Sequence, residues 1–131
     1  MRRLVAWAAL AAVASPTSAQ APRLHVDLSC RPAEASLTFL CTVGVADPTG
    51  KPVDGAEIML TADMPSMPMA HNVSPVRALP VPGQPGSYQG RIALEMLGEW
   101  VVKLRFEAPR SDVIARKLDF QKDKVSPAAS R

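Results

Sequence analysis

The sequence is poor in aromatic side chains, with three Phe, two Trp and one Tyr among 131 residues, and it contains no run of basic residues. Nucleic-acid surfaces combine basic patches with aromatics, so nucleic acid is excluded as a partner. A Gly-rich phosphate loop is missing, and so are paired carboxylates at a defined spacing. His25 and His71 are the two histidines. Hydrolytic chemistry needs a nucleophile beside a base. His71 is the one candidate base, and no Ser or free Cys is evident as its partner, so no enzyme is expected. Past the N-terminal segment no apolar run approaches the roughly 18 residues of a membrane helix, so no membrane span is expected in the mature chain.

The N-terminus reads as a secretory signal. Arg2 and Arg3 form a charged region, and Leu4 to Ala14 is an apolar stretch of 11 residues, short for a span. Thr17-Ser18-Ala19 supplies the small residues of a cleavage site after Ala19, and Ala19-Gln20-Ala21 offers a second site. No Cys follows the apolar stretch to carry a lipid anchor. The expected division is a signal over 1–19 (or to 21), a domain over 22–121 and a disordered tail over 122–131. The expected location is the periplasm or the medium. Without Arg2 and Arg3 the 15 basic residues become 13 against 12 acidic ones, a net charge of +1. The mature chain of about 110 residues suits one domain.

In an exported chain two cysteines, Cys30 and Cys41, read as one disulfide. Leu24, Val26, Leu28 and Cys30 alternate with polar residues, as do Leu37, Phe39, Cys41, Val43 and Val45. Both cysteines therefore share the apolar phase of their strands, which suits a buried bridge. Such a short closed loop gives roughly 2.5–3 kcal/mol on the entropic account. The other reading puts both thiols on copper. Further alternation appears at Ile58 and Leu60, at Tyr88 to Met96, at Trp100 to Phe106, and at Ile114 to Phe120. A short edge strand, interrupted by Pro75, is expected near Val73 to Leu79. Turn signals separate these runs, and the fold class expected is all-β: an immunoglobulin-like antiparallel β-sandwich of six to eight strands.

The segment Met64-Pro-Ser-Met-Pro-Met-Ala-His71 is the densest in chemistry. Two interleaved prolines bar helix and central strand. Thioethers are soft donors that select Cu(I), and imidazole takes Cu(I) or Cu(II). Met64, Met67, Met69 and His71 are the candidate metal ligands, with Met67, Met69 and His71 ranked above Met64. Met96 is a further candidate whose plainer role is core packing. Trp100 can lay its indole over a cation or serve as a central core aromatic. Tyr88 and Trp100 are also candidates to line a pocket at the end of the sandwich with Met69 and Met96. Asp63 is placed to orient His71, and His25 reads as a solvated outward residue. Met is an ordinary gap filler too, and Met-rich surfaces adapt to partners. The loop thus has three readings: copper ligation, docking of a periplasmic protein, or binding of a small organic ligand.

The succession of Gly-Lys-Pro-Val-Asp-Gly-Ala at 50–56, the Met/Pro/His loop at 64–71, Pro-Gly-Ser-Tyr at 85–88 and Leu-Glu-Met-Leu-Gly-Glu-Trp at 94–100 resembles the YtkA-like and FixH-like families. The resemblance covers roughly Leu24 to Phe120. It implies a small immunoglobulin-like domain outside the cytoplasm. It also implies a link to copper handling or to assembly of copper-dependent oxidases, as for some members. The chain departs from the FixH pattern in lacking a membrane-spanning helix after its N-terminal region.

Overall fold

The computed structural model describes residues 12–15, 23–67 and 73–128. The expected signal over 1–19 therefore lies largely outside the described residues. The strands are β1 (His25–Pro32), β2 (Thr38–Ala46), β3 (Glu57–Asp63), β4 (Val76–Pro80), β5 (Ser87–Ala93), β6 (Gly98–Ala108), β7 (Asp112–Phe120) and β8 (Val125–Pro127). All pair antiparallel, in the order β1-β2-β5-β4-β3-β6-β7-β8. β4 is the hand-over: Leu79 and Pro80 pair with β5, and Val76 to Ala78 pair with β3. The row of strands bends there, so that β1-β2-β5 and β3-β6-β7-β8 enclose one apolar core between them. The fold is all-β, as the alternation implies.

Side chains two apart share a sheet face, and the sequence uses this fully in β2 and β6. Phe39, Cys41, Val43 and Val45 are buried, as are Trp100, Val102, Leu104 and Phe106, while Glu99, Lys103, Arg105 and Glu107 face solvent. Each large buried side chain contributes about 1.5–3 kcal/mol. β6 lies between β3 and β7 and is the longest strand, at 11 residues. The two layers press closely at Gly90 of β5, where a Cβ would stand 2.8 Å from Cδ1 of Leu60 in β3. Cys30 and Cys41 face each other in register, with Cα atoms 4.0 Å apart, and are joined as a disulfide. That removes both sulfurs as thiolate ligands for a metal.

The registers define two ends. At one lie the β1–β2 turn (33–37), the exit of β3, the 94–97 turn and the β7–β8 turn. At the other lie 47–56, 81–86 and the 109–111 turn. This second end is closed by polar contacts. Tyr88 Oη donates to Val53 O at 2.7 Å and accepts from Ala56 N at 3.0 Å. Gly86 N donates to Asp54 Oδ1, and Val45 N donates to Gly86 O. Asp47 Oδ1 accepts from the Thr49 hydroxyl and from the amides of Thr49 and Lys51. The Thr49 hydroxyl foremost, then the Lys51 amide, holds the Asp47 carboxyl below its ordinary value.

Two expectations need correction. The strand expected at an edge over Val73 to Leu79 is β4, which begins at Val76, past Pro75 with its missing amide, and lies between β5 and β3 rather than at an edge. Residues 122–128 are not a disordered tail. A turn with Gln121 N donating to Lys124 O leads into β8, which pairs with Leu118 to Phe120. Polar composition misled here because an edge strand is held through its backbone, and Val125 alone among its residues packs on the core. Residues 129–131 lie outside the described residues.

Gly86 has φ +73°, and a Cβ there would meet Val45 O at 2.7 Å and Pro52 Cβ at 2.9 Å; Gly83 has φ +76° with open space around it. Gly83→Ala should therefore cost only the left-handed strain of about 1–2 kcal/mol. Gly86→Ala should cost that plus a clash of about 1–3 kcal/mol. Urea unfolding of both variants checks this, and equal losses would refute the close contact.

Candidate functional site

The Met/Pro loop leaves the sandwich at the end of β3. Met64 does not project from it: the side chain is 4% exposed and belongs to the core, and its Cε lies 3.6 Å from the position a Cβ on Gly98 would take. The chain then turns, with Met67 N donating to Met64 O at 3.1 Å. Met67 is 37% exposed. Residues 68–72, which include Met69 and His71, lie outside the described residues. Val73 N donates to Ala62 O, so the loop returns beside the point where it left.

Opposite this loop stands the 94–97 turn. The core-facing alternation of β5 continues to Leu94 and stops there, because the strand ends at Ala93 and the chain reverses. Met96 is accordingly not a core residue; it is 38% exposed, and Leu97 beside it is 40% exposed. Trp100 is fully buried, and its Nε1 donates to Met96 O at 3.2 Å. The indole thus ties down the backbone of the turn that carries Met96. It stands in the core and is not laid open over the loop.

Tyr88 is equally buried, but its hydroxyl closes the far end of the sandwich. It does not share a pocket with Trp100. Asp63, expected to orient His71, pairs with Lys103 across the β3–β6 register. Met59 is half-buried on the outer face, between Arg77 of β4 and Arg105 of β6 in register, and His25 is exposed. Among the described residues no group of three or more His, Cys, Asp or Glu is placed to hold a metal. Met67 and Met96 expose thioethers at this end, which are soft donors, beside the carboxylates of Asp63 and Glu95.

Sequence reasoning missed a cleft at the same end. It measures about 420 Å³ and lies between the β1–β2 turn and the side chains of Leu97 and Lys122. Leu37 at its edge has φ 54°, and its carbonyl accepts from Leu94 N. A leucine in the left-handed region had no signal in the sequence, where Gly or Asn is the usual occupant.

A YtkA-like family model matches residues 18–105. The chain belongs to the YtkA-like family. No curated protein and no solved structure matches it. The YtkA-like match runs through both ends of the sandwich and stops within β6, before β7 and β8. Its motif-bearing segments fall into two groups. The 50–56 turn and 85–88 meet through Tyr88, Asp54 and Gly86, which is an architectural role. The 64–71 loop and 94–100 meet through Met64 and Gly98, and Met67 and Met96 are exposed.

Three substitutions separate these roles. Met64→Ala should open a cavity and destabilise the YtkA-like domain by about 2–5 kcal/mol, whereas Met67→Ala should change stability by less than about 0.5 kcal/mol. Tyr88→Phe should cost about 1–3 kcal/mol by leaving the Ala56 amide without its acceptor. Chemical denaturation measures all three, and a neutral Met64→Ala would contradict its place in the core.

Proposed function

We propose that the protein is a non-enzymatic, extracytoplasmic accessory module that carries copper as Cu(I) through thioether donors at one end of the sandwich. The observation that carries the reading is the exposure of Met67 and Met96 on two different loops at the same end. Between Met67 and the return of the chain at Val73 the sequence adds Met69 and His71. Met64 drops out as a donor because it is packed. Three thioethers and one imidazole make a soft, neutral donor set, which favours Cu(I) over zinc or calcium. The YtkA-like family, through the resemblance described above, points the same way.

A second reading has its own support. Met67, Met96 and Leu97 form exposed apolar surface at this end, and methionine surfaces accommodate protein partners. In that reading the loop docks a periplasmic protein and metal is incidental.

Titration with Cu(I) against a competing chelator separates the two. The copper reading expects one Cu(I) per chain, with Met67→Leu and Met96→Leu each weakening binding roughly tenfold and Met64→Leu leaving affinity unchanged. Protonated imidazole cannot ligate, so affinity should decline as the pH falls below the ordinary imidazole value of about 6.5. His71→Ala should flatten that profile. Binding no stronger than that of a scrambled 64–71 variant would favour docking instead.

A further inference from the structure

We propose that Met67 and Met96 are sites of reversible methionine sulfoxidation, and that Met64 is shielded from it. Among the described residues three methionines stand at one end of one small domain in two environments. Met64 is 4% exposed and closed in by the core and Gly98, whereas Met67 and Met96 are 37% and 38% exposed. Susceptibility of a thioether to oxygen transfer follows its access to solvent. The Trp100 Nε1–H bond to Met96 O holds the backbone of the turn from which Met96 projects.

The reaction needs a two-electron oxidant such as hydrogen peroxide. A sulfur lone pair attacks one peroxide oxygen, the O–O bond breaks and an S–O bond forms. The departing hydroxide takes the remaining proton as water. Sulfur loses two electrons and the peroxide gains them. A thiol-dependent sulfoxide reductase reverses the change. The product is polar and its sulfur is no longer a soft donor. Oxidation at these two positions therefore acts on the same groups that the proposed function assigns to Cu(I). That consequence rests on the copper reading, whereas the selectivity of the modification does not.

The metal-free protein is treated with dilute hydrogen peroxide, and each methionine is followed by site-resolved mass spectrometry. Met67 and Met96 should gain oxygen at least roughly tenfold faster than Met64, and the difference should vanish in denaturant. Equal rates for the three in the folded protein would overturn the inference. Peroxide is then removed and Ag(I), a redox-silent soft ion, is titrated into oxidised and untreated samples. Affinity at least roughly tenfold weaker after oxidation, regained with a sulfoxide reductase, supports the functional consequence. Unchanged affinity overturns it. Failure of untreated protein to bind Ag(I) defeats the copper reading, while the rates still decide whether Met67 and Met96 are the modified positions.

Discussion

Everything in this molecule depends on the inward row of β6: Trp100, Val102, Leu104 and Phe106, all buried against the rows of β2, β3, β5 and β7. A domain of about 100 residues has one core and little surplus stability. The strand that supplies its largest side chain to that core therefore sets the position of its neighbours. Trp100 does so twice. Its ring fills the core near the end of the sandwich, and its indole N–H reaches the carbonyl of Met96. A buried indole without an acceptor would be costly, so one bond serves both the packing of the strand and the shape of the turn beyond it.

The two ends of the sandwich follow different physical rules. The far end is closed by directional contacts, with one phenol bridging an amide and a carbonyl 32 and 35 residues away in sequence. A glycine lies where the backbone of Val45 and the ring of Pro52 leave no room for a side chain. The Met end is held at its margins, by Met64 against Gly98 and by the Ala62–Val73 hydrogen bond, and Met67, past the first of these, is exposed.

The fold was legible because a period of two is hard to mistake over the length of β2 or β6. Both cysteines fell in phase with the core residues of their strands, which made the bridge legible as well. β8 was not legible: three residues held by main-chain pairing leave almost no pattern. Core packing, one of the two readings of Met96, failed for a related reason, since periodicity does not say where a strand stops, and two residues past the end of β5 the phase has no meaning. Tyr88 and Trp100 looked like neighbours because both are large and each sits beside a turn. The register puts one near each end of the sandwich, a fact of pairing that no local window contains.

The same reasoning explains why Met64 and Met67 differ although both belong to one Met/Pro motif. Met64 is the first residue past β3, so it still follows the inward phase set by Ile58, Leu60 and Ala62. Gly98 faces it with no side chain of its own, and the thioether fills that space. By Met67 the chain has turned on the Met67 N–Met64 O bond and the strand phase is lost. A motif read as a string gives its methionines equal weight. The strand before it makes the first a wedge and leaves the second outside.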